Sequence, residues 1–560
     1  MAKTTTIGKY LIHRLEEMKL GHVFGIPGDY VLGFYDLLVA SRMKVIGTCG
    51  ELGAGFAADA YARVSGLGCL CVTYCVGGFP ALNAVAGAYA EKSPLIVISG
   101  APGMSERQRS SLLHHKVRDF HTQLNVFEQV TIAAVALEDP KLAPQKIDEC
   151  ILACLRHKRP VYIELPRDLV GAPCAGPQPL PPIEQSSDPL ALREAISEAV
   201  AMIKSAKKPA ILAGVEIHRF GLQQMLLDLV DQTGLPVAAT LLGKSIISEI
   251  HPQYLGVYEG AMGREDVRLG IEQADAVLIL GAFMTDINLG IYTAHLDEAN
   301  TINANSERIT IRYHHYDRVV LRDFIRGLTR ALATGKNALK PARRAKVNKA
   351  AANQKVYKPQ KNKPCTVRRF FERMNDYLDD GTIVIADIGD SLFGAADLTI
   401  HRRTEFISPA YYTSMGFAVP ASIGAQMAAP DLRPIVFVGD GAFQMTGQEL
   451  ATAAKYSLNP IVFVLNNKGY TTERFINEGP YNDIHEWAYH LLPQIFRKGW
   501  GCEVRTEGEL EEALTRAWTH TQSFCIINVH LDKLDRSKAL ERLATRMSKQ
   551  AGLKSVKVKP

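Results

Sequence analysis

The chain has 560 residues, 47% apolar and 22% charged, enough for three or four domains with substantial cores at roughly 100–200 residues each. No stretch is long and apolar enough to span a bilayer, and the opening Met1 to Lys9 lacks the apolar core of a secretion signal, so a cytoplasmic protein with no membrane partner is expected. The net charge of +6 is locally generated, because Lys336 to Lys363 holds ten Lys/Arg and no acid; with Pro341, Pro359 and Pro364 this run reads as a solvated interdomain linker and gives no reason to expect a nucleic-acid partner.

In chain order, residues 1–180 alternate apolar runs (69–74, 95–99, 161–165) with Ala-rich amphipathic stretches such as 79–91. That alternation predicts β-α-β units on a parallel sheet. A Pro-rich joint (Pro173, Pro177, Pro179, Pro181, Pro182) precedes a second α/β segment at 190–340, with strands expected at 209–213, 237–240 and 276–280. The basic linker, 341–364, leads to a third segment at 365–560, with strands expected at 383–386, 434–438, 460–465 and 524–529. Its Lys-rich tail, from Lys549, reads as a frayed end or a flap. The expected fold class is therefore α/β, with three doubly wound parallel-sheet domains. The ten cysteines form no CxxC pair and no zinc-finger spacing. Cys69 and Cys71 alternate along a strand and Cys150 and Cys154 lie one helical turn apart, which predicts buried, reduced thiols.

The third segment carries the most legible chemistry. Ile435 to Val438 is a continuous apolar run suited to a strand buried on both faces, and it stops at Gly439-Asp440-Gly441. Thr446 and Glu449 predict a capping box opening a helix through Lys455. Ile461 to Leu465 forms the next buried strand and stops at Asn466-Asn467-Lys468-Gly469. A right-handed crossover would set the strands side by side with both motifs beyond their carboxyl ends, where open parallel sheets bind ligands. A hard cation such as Mg²⁺ takes oxygen ligands: Asp440, Asn467 and a carbonyl near Gly469 supply three, and diphosphate oxygens complete the octahedron. The glycines let backbone amides approach phosphate. Singly, each motif is an ordinary turn or cap; paired across a strand–helix–strand unit, they read as a metal–diphosphate anchor.

The paired motif resembles the signature of thiamine-diphosphate enzymes. The resemblance extends over all three segments and is nearest the pyruvate, indolepyruvate and phenylpyruvate decarboxylase group. Its landmarks are Gly25-Ile-Pro-Gly-Asp29, Glu51 within 49–56, Thr73-Tyr-Cys-Val-Gly-Gly78, Ile98-Ser-Gly-Ala-Pro102, His114-His115, Gly389-Asp390-Ser391 and Gly469-Tyr-Thr-Thr-Glu473. It implies a pyrimidine-binding, a central and a diphosphate-binding domain, and thiamine diphosphate and Mg²⁺ as cofactors. It also implies a homodimer at least, commonly a homotetramer, since the family's sites lie between the pyrimidine domain of one chain and the diphosphate domain of another.

Glu51, alone, would be an acid satisfying a helix N-terminus, after a strand at 44–48 and before a helix at 53–63; the resemblance makes it the carboxyl that hydrogen-bonds the cofactor's pyrimidine ring and promotes removal of the thiazolium C2 proton. Asp29, His114, His115 and Glu473 would otherwise be a turn acid, core imidazoles and a surface acid. The resemblance places them around the reacting carbon as proton donors and relays. It also assigns Gly389, Asp390, Ser391, Gly441, Ala442, Asn467, Gly469 and Tyr470 to the cofactor. Met415 becomes the apolar wedge that bends it, and the Thr413 carbonyl the acceptor from the pyrimidine amino group.

The implied reaction is non-oxidative decarboxylation of a 2-oxo acid to an aldehyde. Ile388, Thr472 and Ile476 would line the substrate pocket. Thr472 is smaller than the isoleucine typical of strict pyruvate decarboxylases, which implies room for a branched or aromatic side chain, so that 2-oxo acids of the phenylpyruvate, indolepyruvate or 2-oxoisovalerate type are expected as substrates as well as, or in place of, pyruvate. Residues 387–390, 411–417 and 441–447 look phenylpyruvate-type, whereas 470–482 looks pyruvate-type. An acetolactate-synthase-like carboligase would share the anchor and Glu51, but His114, His115 and Glu473 favour aldehyde release. A non-catalytic scaffold or nucleic-acid binder would have to use the basic linker.

Overall fold

The computed structural model describes residues 4–109, 112–183, 186–333, 357–401 and 405–543. Residues 341–356 of the expected linker and the whole Lys-rich tail lie outside them.

Apolar runs make the strands at the centre of each terminal sheet. Gly68–Val72, Leu95–Ala101, Val161–Pro166, Thr382–Ala386 and Ile461–Asn466 are buried at every position, as parallel strands covered by helices on both faces must be. The N-terminal sheet has six parallel strands: His22–Gly25, Lys44–Gly47, Gly68–Val72, Leu95–Ala101, Ala133–Ala136 and Val161–Pro166. Numbered in chain order they lie 2-1-3-4-6-5. The C-terminal sheet, built of Thr382–Ala386, Glu405–Ile407, Arg433–Gly439, Ile461–Asn466, Trp500–Val504 and Cys525–His530, repeats the order 2-1-3-4-6-5, again all parallel. In both, the direction of winding reverses between strands 1 and 3, opening a crevice at their carboxyl ends.

The central sheet departs from expectation. Pro209–Ala213, Val237–Thr240 and Ala276–Leu280 are parallel strands at the expected positions, but Thr301–Ala304, Ile309–Ile311 and His314–Tyr316 pair antiparallel along one edge. The connections at 305–308 and 312–313 are too short for a crossover and permit only hairpins. The central domain is therefore mixed rather than wholly parallel.

A second correction concerns the capping box. The helix starts directly at the strand end, as Asp440–Thr446, and continues through a 3₁₀ turn, Gly447–Glu449, into Leu450–Lys455. Thr446 Oγ1 donates to the carbonyl of Gly416 at 2.6 Å, and Glu449 turns away to accept from the amides of Cys49 and Gly50, each at 3.1 Å. Both side chains are thus committed to tertiary partners that outcompete the local cap. The helix after Lys44–Gly47 also starts earlier than expected, at Glu51, and runs to Ser65.

That helix packs on Ala418–Ala428 and joins the two terminal domains of the same chain; a Cβ on Gly424 would meet the carbonyl oxygen of Ala57 at 1.8 Å. All ten cysteines are free thiols and all are buried except Cys49, which is exposed, and Cys502, which is half-buried. Among the described residues no helix is long and apolar enough to cross a membrane.

Candidate active site

The C-terminal crevice opens into a cavity of about 260 Å³. Its lining includes Ile388, Gly389, Asp390, Ser391, Thr413, Met415, Asp440, Gly441, Ala442, Asn467, Gly469, Tyr470, Thr472, Glu473 and Ile476, which are all the site residues expected on this domain. Ile287 of the central domain and Val367, Phe393, Leu465, Leu531 and Leu543, none of them flagged by the sequence, add to its apolar wall.

The anchor is built from strand ends. Arg433–Gly439 and Ile461–Asn466 pair in parallel, so Asp440 and Asn467 emerge from neighbouring strands. Asp440 Oδ1 accepts from the amide of Gly441 at 2.8 Å and Oδ2 from that of Gly469 at 3.2 Å, fixing the carboxylate's plane. Burial pushes its pKa up to about 6 against the pull of these amides and of the Arg474 charge. Asn467 is 6% exposed and its Oδ1 is buried with no hydrogen-bond partner. Such orphaned acceptors are rare and costly, and an oxygen-seeking cation would satisfy both groups. Gly469 has φ +146°, and a Cβ there would meet the carbonyl oxygen of Asn482 at 1.9 Å, so only glycine fits this loop. The residues present therefore fit a hard divalent cation.

The opposite wall carries the remaining contacts. Asp390 opens the helix Asp390–Ala395 and is buried; its Oδ2 accepts from the amide of Ser537 at 2.8 Å while Oδ1 has no partner. Burial pushes its pKa up to about 7. Thr413 adopts φ +55°, a left-handed conformation that is strained for a β-branched residue and characteristic of ligand clamps. Asp387, which the sequence marks only as part of the 387–390 stretch and not as a site residue, holds this clamp: it is fully buried and accepts from the amides of Gly416 and Ala418 at 3.2 and 2.8 Å.

The N-terminal crevice gathers the other group. His114 Nε2 lies 2.8 Å from Asp29 Oδ2, and one ligand atom from each of Asp29, His114 and His115 falls within 4.8 Å of the others. Arg167 reaches Asp29 Oδ2 at 3.3 Å. The buried Tyr30, next to Asp29, stacks on the His114 ring with centroids 4.7 Å apart, and its hydroxyl donates to the His114 carbonyl at 3.2 Å. Glu51 stands half-buried at the start of its helix. None of Glu51, Asp29, His114 and His115 lines the diphosphate-side cavity of its own chain. Asp29 and His114 have side chains 42% and 56% exposed, too open as they stand for a proton relay screened from water.

A doubly wound fold with a cation-ready strand-end anchor and a separate acid–imidazole cluster defines a cofactor enzyme of the diphosphate-binding kind. The sequence matches the family models of the thiamine pyrophosphate enzymes in all three parts: the N-terminal TPP binding domain over residues 5–126, the central domain over 196–332 and the C-terminal TPP binding domain over 387–529. An indole-3-pyruvate decarboxylase of Azospirillum brasilense is 35% identical, covering 96% of this chain and 97% of its own. A probable pyruvate decarboxylase of Schizosaccharomyces pombe is 33% identical, covering 96% and 95%. An alpha-keto-acid decarboxylase of Mycolicibacterium paratuberculosis is 34% identical, covering 96% of each. The chain belongs to the thiamine-diphosphate-dependent 2-oxo-acid decarboxylases, and Mg²⁺ is the family's standard metal partner.

Proposed function

We propose that this chain releases CO₂ and an aldehyde from a 2-oxo acid with a branched or aromatic side chain, of the phenylpyruvate, indolepyruvate or 2-oxoisovalerate type, with pyruvate a poorer substrate. The orphaned Asn467 Oδ1 beside the amide-clamped Asp440 carries the anchor: these two oxygens and the Gly469 carbonyl would hold Mg²⁺. Gly389, Asp390, Ser391, Gly441, Ala442 and Tyr470 would surround the diphosphate, with Thr413 and Met415 against the rings. Thiamine diphosphate supplies the nucleophilic carbon and the electron sink for decarboxylation.

The protein's part is proton management and exclusion of water. Glu51 holds a proton against the pyrimidine ring. The Asp29–His114 pair shares a proton between Oδ2 and Nε2, and with His115 and Glu473 it delivers protons to the product and takes them back. The exposure of Asp29 and His114 supports a homodimer in which a second copy's diphosphate domain covers them, and two such dimers would form a tetramer. Ile388, Thr472, Ile476 and Leu543 share the lining of the cavity and would give the substrate end an apolar wall, with the short Thr472 leaving room for a larger side chain; a methylene-scale difference there discriminates about 10–200-fold.

The test is a panel of 2-oxo acids assayed for CO₂ and aldehyde with the wild-type protein and Glu51→Gln. Phenylpyruvate and 2-oxoisovalerate should exceed pyruvate in kcat/KM, and Glu51→Gln should nearly abolish turnover of all three. A preference for pyruvate would overturn the substrate assignment, and near-normal activity of the variant would overturn the role of Glu51. Acetoin-type products in place of aldehyde would favour the carboligase.

A further inference from the structure

The helix that begins with Glu51 has no cap of its own. Its N-cap is Gly50, at φ −153° and ψ 161°, which has no side chain with which to accept a hydrogen bond. Helix N-termini leave amides unsatisfied, and Ser, Thr, Asp or Asn normally answers them. Here the carboxylate of Glu449, from the diphosphate-binding domain of the same chain, instead holds the entry to the helix, as the acid of a capping box holds the N-cap amide: Oε1 accepts from Gly50 N, the N-cap amide, and Oε2 from Cys49 N just before it, each at 3.1 Å. Glu449 is 0% exposed, and Thr452 Oγ1 donates to its Oε2 at 2.7 Å, fixing the carboxylate's orientation. Room for it exists because residue 53 is glycine; a Cβ there would meet Glu449 Oε1 at 2.1 Å. The same face grips the loop once more upstream, where Gly47 N donates to Tyr456 Oη at 2.9 Å.

We propose that Glu449 is a positioning residue for Glu51, setting the first turn of its helix, and so the placement of its carboxyl, through the amides of Cys49 and Gly50. This rests on the assignment of Glu51 as the pyrimidine-side acid. The hydrogen bonds of Glu449 run to Cys49, Gly50 and Thr452, none of which lines the cavity, so it acts through the helix. It leads directly from the anchor: Asp440–Thr446 and the turn Gly447–Glu449 are consecutive, so Asp440 and the cap on Glu51's helix sit at opposite ends of one short run of chain.

The test uses the full-length protein with Glu449→Gln, which keeps the shape but turns one acceptor into a donor facing Cys49 N. In the cofactor-free protein, amide hydrogen exchange at Cys49 and Gly50 should rise about tenfold, the expected consequence of losing one charge-assisted hydrogen bond, while exchange in the strand Gly68–Val72 stays unchanged. In the holoenzyme, hydrogen–deuterium exchange at the cofactor's C2 should slow by a similar factor, with kcat falling and KM holding. Thr452→Val, which only frees the carboxylate to rotate, should give a smaller change of the same sign and serves if Glu449→Gln does not fold. Unchanged amide exchange in both variants overturns the proposal. Glu51→Gln separates the two claims: if it leaves C2 exchange intact, the assignment of Glu51 fails, whereas the cap is still judged by the amides.

Discussion

Asn467 shows what a site costs a fold that lacks its ligand. Its Oδ1 is buried with no partner, and an unpaired buried acceptor carries a desolvation penalty of about 1–3 kcal/mol. Replacing Asn467 with Leu removes that penalty along with the ligand oxygen. The cofactor-free variant should therefore unfold in urea at the same concentration as the wild type or a higher one. Its affinity for thiamine diphosphate at saturating Mg²⁺ should drop by about 10–100-fold or more, given that even outer-sphere partners of a metal are worth that much. Asn467→Asp, which still offers an oxygen, should retain most of the binding. Isothermal titration with cofactor across a series of Mg²⁺ concentrations checks both. Equal binding by the Leu variant would remove Asn467 from the anchor.

Two helices, Glu51–Ser65 and Ala418–Ala428, are buried nearly all round and rich in Gly and Ala, the composition of elements enclosed on every side. At Gly424 a Cβ would meet the Ala57 carbonyl oxygen at 1.8 Å. A methyl at 424 meets backbone, which cannot swing aside as a side chain would. Gly424→Ala should therefore cost about 1–3 kcal/mol as overpacking, visible as a lowered urea midpoint. It should also weaken cofactor binding, because the helix it displaces begins at Glu51 and its own begins just after Met415. A variant as stable as the wild type would mean that the two helices slide apart without cost.

The same elements explain what the sequence could and could not reveal. Strands such as 209–213 and 276–280 were legible to the residue, because a parallel strand buried on both faces must be continuously apolar and its Gly or Pro boundaries are local. The anchor was legible because metal and phosphate chemistry forces Gly-Asp-Gly and Asn-Asn to strand ends. Thr446-x-x-Glu449 misled because a capping box is recognised within four residues, whereas Glu449's true partners lie 399 and 400 positions away. Asp387 and Tyr30 escaped for the same reason: each binds amides or carbonyls, which have no residue type to read. The antiparallel edge of the central sheet was hidden because strands of three residues carry too little periodicity to fix their direction.

At the scale of the whole molecule, buried charge ties the three domains together. Arg63 of the first domain pairs with Glu91 at 2.6 Å and donates to the Ser408 carbonyl of the third at 3.1 Å; Lys92 pairs with Glu216 of the second; and His218 of the second meets Glu405 of the third at 2.9 Å. One buried acid at these junctions is only partly compensated. Glu259, after Tyr254–Tyr258 in the central domain, is 4% exposed and its Oε1 has no partner. Burial, and then the like charge of Asp397 in the third domain, push its pKa up to about 7, against the pull of Arg542 and Lys244. Lys244 is spent on Glu249, with both carboxylate oxygens at 2.8 Å, and Arg542 Nε donates to the Met262 carbonyl.

The consequence for stability has a definite sign. Below about pH 4.5 Glu259 is protonated both folded and unfolded and contributes nothing. Between about 4.5 and 7 the folded chain keeps the proton and the unfolded chain releases it, so the folded state binds more protons and stability falls as pH rises. Above about 7 the penalty is complete, at most ~3 kcal/mol by order of magnitude. Glu259→Gln is neutral throughout and escapes it. Urea midpoints of wild type and variant should nearly coincide at pH 5 and separate progressively to pH 8, with the variant the more stable; the other titrating groups are shared and cancel in the difference. Parallel curves across that window would mean that Glu259 ionises freely when folded and that the second and third domains meet around a charge they can accommodate.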